Sequence, residues 1–219
     1  MPALPPPLAD FFNRARATGL CDAGAPGQRM LSAEASVACS QSFDYHPLVN
    51  VLEAWVLDDM DTSNHHLFVA AGPLAGAVFF LAHDGASRVV YDSLAAFEHE
   101  ALQARAVGAL LEDRHPPLTP LAADQAGLAA WLQALLDADD NVDATIPALL
   151  PSLALHATPL LRAIALHEDF YLGEALALQL RARPAPDLAD LARLCAQHPH
   201  PQVSAPGKQA VARIAALGR

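Results

Sequence analysis

The sequence predicts an α+β fold: an antiparallel sheet of three to five strands with helices on one side, followed by an all-helical C-terminal extension. Three observations lead there. Ala and Leu dominate while aromatics make up only 6%, a balance that favours helices with small-residue contacts over an all-β sandwich. Four short runs rich in β-branched or aromatic residues, each bounded by turns, follow one another between Val49 and Asp92. After Pro120 every segment has helical spacing. The chain has 219 residues, of which 53% are hydrophobic and 17% charged, so it is long enough for a real core and too apolar for disorder.

Taken in order, the prolines at 5 to 7 stiffen the approach to a helix over 8–19, where Leu8, Phe11, Phe12, Ala15 and Leu20 fall near helical spacing before a glycine stop. CDAGAPGQRM is a loop, and Leu31 to Cys39 is short, apolar and ambiguous between strand and helix. The strand-like runs are VNVLEAWVLD, HHLFVAAG, GAVFFLAH and SRVVYD. Asp84-Gly85 joins the last two, since glycine takes positive φ in a tight hairpin at no steric cost, so residues 78–83 are expected to pair antiparallel with 88–91. Asp92-Ser93 are good N-cap types ahead of a helix from 93 to about 106. DRHPPLTP, residues 113–120, carries three prolines in eight positions. It cannot continue a helix and divides a domain over 1–112 from a helical one over 120–219. The helices expected there are Ala122 to Leu136, Val142 to His156 with Pro147 and Pro151 kinking or splitting it, Pro159 to Arg183, Pro186 to His198, and Lys208 to Leu217.

The net charge is −11 and the only lysine is Lys208, so no basic stripe exists to displace counterions from a phosphate backbone, and nucleic acid is not an expected ligand. Residues 1–110 hold 12 acids against 5 bases, and residues 111–219 hold 12 against 8. If charge recruits a partner, that partner is basic and the first half is the better surface. Cys21, Cys39 and Cys195 form no CxxC pair, which predicts a reducing compartment. MPALPPPLADFF lacks the basic and apolar regions of a secretory signal, so the expected location is cytoplasmic. The uncharged run from Leu67 to Ala82 is short and broken by Gly72, Pro73 and Gly76. Two strands and a turn account for it better than a membrane span.

Val78 to His83, Asp84-Gly85, Val89-Val90, Asp92-Ser93 and Phe97-Glu98 follow one another in an order that resembles the SUKH superfamily, in which an Asp-Gly turn, a Val-Val-x-Asp-Ser strand and a helix opening Phe-Glu-x-x-Leu succeed each other. LPPPLADFFNRA also looks like that family's opening helix. The resemblance covers about the first half of the chain; Val69 to Ala77 departs from it, having Gly72, Pro73 and Gly76 but no acidic turn. It implies an α+β domain without enzymatic activity whose bacterial members commonly serve as immunity proteins, neutralising polymorphic toxins, many of them nucleases. For residues 120–219 only LARLCAQHPHPQV is similar to a unit of a helical repeat, with no fixed period.

Candidate chemistry is sparse. His65 and His66 are adjacent and in a strand point to opposite faces, so they do not share an ion; His198-Pro199-His200 lacks a third ligand; His167-Glu168-Asp169 lacks HExxH spacing. Asp137, Asp139, Asp140 and Asp143 lie in a turn before a helix that Asp143 can cap, and no EF-hand spacing occurs. No GxSxG, GxxxxGK[ST] or GxGxxG is present. The expectation is therefore a protein-binding module rather than an enzyme, with no cofactor, no metal, no nucleic acid and no membrane, and the family resemblance implies that it is an immunity protein facing a basic toxin. The acids Asp58, Asp59 and Asp61, in a turn ahead of a strand, are the expected partner-binding residues. The alternatives are a scaffold binding through the C-terminal helices, and a hydrolase using histidine and aspartate.

Overall fold

The structure, a computed structural model, describes residues 4–22, 29–59, 63–156 and 158–218. It divides into two compact units, Met1–Asp124 and Gln125–Arg219.

In the first unit, helix α1 (Pro6–Ala17) opens on prolines at its first two positions, where the missing N–H is not needed and φ is already helical. It buries Leu8, Phe11, Phe12 and Ala15, one stripe at helical spacing. The last two residues of the expected loop form strand β1 (Arg29–Met30) instead, and the ambiguous segment from Leu31 becomes helix α2 (Ala33–Ser42). Ser32 decides the switch: its side chain accepts from the Ala35 N–H at 3.1 Å, an N-cap. The run expected as a strand from Val49 begins instead as helix α3 (Pro47–Val51), because Pro47 sits at the helix start. Glu53, at φ 44°, turns the chain into strands β2 (Trp55–Val56) and β3 (Asp58–Asp59).

Strands β4 (His65–Phe68), β5 (Val78–Leu81) and β6 (Arg88–Tyr91) complete an antiparallel sheet of order β2-β4-β5-β6, while β3 pairs with β1. The expected hairpin is present: Val78 pairs with Tyr91, Phe79 with Val89 and Phe80 with Arg88, with a bulge at Val78/Phe79. Gly85 has φ 138° in its turn, and Ser87 Oγ accepts from the Ala82 N–H at 3.0 Å. Helix α4 (Leu94–Val107) begins on Ser93, whose Oγ accepts from the Ala96 N–H at 3.2 Å. Phe68, Phe80, Val90 and Tyr91 join α1 and α4 residues, among them Phe11 and Phe97, in one buried cluster. Val56, Leu67, Phe79 and Val89 are buried as well, with α2 against β2. The fold class is α+β as expected, but apolar residues occupy alternate positions of both faces, and neither face of the sheet is open.

The second unit contains α5 (Gln125–Ala138), α6 (Val142–Leu149), α7 (Pro159–Leu166), α8 (Phe170–Ala182), α9 (Ala189–Ala196) and α10 (Pro201–Leu217). The principal contacts pair α5 with α6, α7 with α8 and α9 with α10, and run α5–α7–α9 and α6–α8–α10 along two layers. That is the nearest-neighbour pattern of stacked helical hairpins. The segment expected as one helix from Pro159 to Arg183 is two, because Asp169 caps α8 by accepting from the Tyr171 N–H at 2.9 Å. The last helix starts seven positions before the expected Lys208, at Pro201, and carries Pro206 inside it. Gly207 allows α10 to close on α9: a Cβ there would lie 2.5 Å from Ala196 N.

Candidate functional site

The acids proposed from sequence do not form one exposed edge. Asp58 is 1% exposed. Its carboxylate accepts from the His66 backbone N–H at 2.8 Å and contacts His66 Nδ1 at 2.5 Å. The Asp59 backbone pairs with Arg29, while the Asp59 side chain and the whole of Asp61 lie outside the described residues. The expectation of a solvent-facing acid therefore fails at Asp58, and the cause is register. β3 turns inward beside β4, and a carboxylate there is held by charge-assisted hydrogen bonds.

From Asp58 the polar contacts continue as a row. His66 is fully buried, and its Nε2 lies 2.7 Å from His115 Nε2. His66 stands opposite Phe80 in the β4–β5 register. The two imidazoles are enclosed by the rings of Phe80, Tyr91 and Phe97. His65, on the other side of its strand, packs edge-on to Phe43 with centroids 5.1 Å apart. The adjacent histidines thus point apart, as alternation requires.

His115 belongs to the proline-rich stretch after α4, and neighbouring groups hold that stretch to the sheet. Arg88 donates to the Pro116 carbonyl at 2.6 Å and to Thr119 Oγ1 at 3.4 Å, and Arg114 Nε reaches Glu100 at 2.5 Å. These bonds explain why the division between units falls after Asp124 rather than within residues 113–120. Burial, with positive charge at His66 and Arg88 adding to it, pushes the His115 pKa down to about 3. Burial also raises the Tyr91 phenol to about 12. His115 is therefore neutral at physiological pH. His66 Nε2 and His115 Nε2 face each other within hydrogen-bond range, so one ring donates to the other.

Chemically, Asp58 and His66 have the geometry of a carboxylate orienting an imidazole. The outer nitrogen that a general base would turn to a nucleophile is instead engaged by a second imidazole. Among the described residues, no group of three or more His, Cys, Asp or Glu side chains is placed to hold a metal ion. Cys195 is buried, and desolvation lifts its thiol to about 11, a packing role. His198 and His167 serve local turns: their Nδ1 atoms accept from the backbone N–H of His200 and Asp169.

Sequence reasoning missed His115 altogether, because 49 positions separate it from His66. The usable signal was the alternation itself, since one of His65 and His66 had to face the core, and a buried imidazole needs partners. Among the described residues, no helix is long and apolar enough to cross a membrane. Comparison with family models, with curated proteins and with solved structures finds no match to this chain.

Proposed function

We propose that this protein is a non-enzymatic, cytoplasmic binding module of SUKH type, an immunity protein that neutralises a basic toxin, with nucleases the first class to test. The observation that carries this reading is charge: a net −11 with a single lysine suits a partner whose own working surface is basic, and such pairs associate rapidly by electrostatic steering. The Asp84-Gly85 hairpin leading to a Ser93-capped α4, the segment that carries the family resemblance, supports it. Co-expression with basic nuclease toxin domains, sought first among the genes beside this one, is the direct test. Growth protection against one of them and a stoichiometric complex whose association slows with salt are expected; protection against none of them sinks the reading.

A second reading rests on the stacked hairpins of residues 125–219, an architecture that presents extended surfaces to partners: a scaffold in which these helices make the contact. Growth protection separates the two readings: a scaffold would hold its partner through these helices without protecting cells from a toxin. A hydrolase finds less support, since His66 Nε2 faces His115 rather than a hydroxyl or thiol.

A further inference from the structure

The turns within the three hairpins of the second unit lie side by side. His167 Nε2 is 3.6 Å from Asp139 Oδ1, linking the α5–α6 turn to the α7–α8 turn. The Phe170 ring stacks on His200 with centroids 3.8 Å apart and 16° between planes, linking the α7–α8 turn to the α9–α10 turn. Tyr171 adds a third ring, 4.2 Å from Phe170. Leu166 closes α7 on the other side of the same turn. Leu166 and Tyr171 are 58% and 49% exposed. A single exposed apolar residue needs no explanation, but two flanking one turn beside a stacked ring pair make a patch.

Charge says what would cover it. Residues 124–174 contain eight acids and one base, Arg162, whereas residues 175–219 contain two acids and six bases. Asp139, Asp140 and Glu168, all exposed, stand on the turns that flank the rings. The opposite edge is built differently: Arg183 donates to the Leu153 carbonyl at 2.8 Å, and Gln125 bonds the backbone of Ser152 and Ala154. An aromatic face rimmed by carboxylates suits a guanidinium or ammonium, which gains from the ring quadrupole and the acids together.

We propose that this edge of the helical stack, centred on Leu166 and Tyr171, is the surface that docks the arginine- or lysine-bearing face of a protein partner. The inference rests on the reading of the protein as a binder of a basic partner, and it moves the contact from the buried Asp58 to the C-terminal helices.

The test uses the full chain and a synthetic peptide alternating arginine and leucine, followed by calorimetry and by amide shifts in NMR spectra. Binding should weaken about tenfold or more between roughly 50 and 300 mM salt, with shifts confined to residues near 139–141, 166–171 and 198–200. Tyr171→Ser, which alters no charge, and Glu168→Lys should each cost about fivefold or more in affinity. Asp187→Lys, an equal charge change at an exposed position in the turn before α9, should leave affinity within about twofold. Circular dichroism and melting temperature check that each variant is folded, and the NMR map of the wild-type chain is independent of them. Shifts that fall elsewhere, an unaffected Tyr171→Ser, equal losses from Glu168→Lys and Asp187→Lys, or no peptide binding at low salt each overturn the proposal. A toxin neutralised as well by the edge variants as by the wild type refutes the edge and leaves immunity standing. Peptide docking here without protection against any of the toxins tested refutes immunity and leaves the surface.

Discussion

In residues 1–124 the decisive contacts join distant parts of the chain: Arg14 with Glu98, Arg105 with the Gly19 carbonyl and His66 with His115. In residues 125–219 each helix packs chiefly on the next or the next but one. The first unit runs a polar row, Asp58 to His66 to His115, from its core out to the half-buried His115. The second buries residues such as Leu172, Leu176, Leu180 and Ile164 along its helices. The contrast teaches where each unit is vulnerable. The first depends on satisfying a few buried polar groups that only long-range pairing brings together. The second depends on close approach between neighbouring helices, because its stability is a sum of local interfaces.

The largest expected effect breaks the polar row. Asp58→Ala leaves the His66 Nδ1 and backbone N–H without their acceptor, and should cost about 3 to 5 kcal/mol in the first unit. Urea unfolding followed by hydrogen exchange should show protection lost in β2, β4 and β5 while α8 and α10 keep theirs; uniform loss across both units would erase the contrast. The matching lesion in the second unit is Gly207→Ala. Its Cβ would meet Ala196 N at 2.5 Å and Cys195 C at 2.7 Å, backbone that cannot rotate away. About 2 to 3 kcal/mol should be lost from α9 and α10, read by the same exchange experiment.

A smaller effect comes from pH. The folded-state pKa of His115 lies at about 3, below the ordinary 6.5, so the unfolded chain takes up a proton first as pH falls. The first unit should lose stability progressively between about pH 6.5 and 3, with no further loss from this group below that, on the order of 2 kcal/mol after allowing for the ring's partial exposure. His115→Phe keeps the ring contacts and should flatten that part of the stability profile; an unchanged slope would assign it to other groups. The smallest is Ser93→Ala, which removes the α4 cap and should cost about 1 kcal/mol, visible as a modest shift in the urea midpoint of the first unit.

Much of the fold was legible because its signals are local. Apolar spacing over Leu8 to Ala15, turn chemistry at Asp84-Gly85, the cap at Ser93 and the spacing of the C-terminal helices act over a few residues, and the structure contains each of them. Where two local signals competed, the reading slipped: Pro47 began a helix within an apparent strand, and Asp169 divided an apparently continuous helix. The candidate site was hardly legible. Asp58 read as a turn acid because aspartate near other acids is usually solvated, and nothing nearby in the chain announced His66 or His115 as its neighbours.

The sequence by itself determined the class of fold, the order of most elements, the acidic balance and the hairpin that organises the sheet, since each follows from backbone preferences or composition. Only the tertiary structure decided which acid is buried, that the proline-rich stretch after α4 is fastened to the sheet through Arg88 and His115, and that three hairpin turns share one edge. Those outcomes depend on strand register and helix packing between residues tens of positions apart. A local pattern can bias such pairings, but only the packed chain selects one of them.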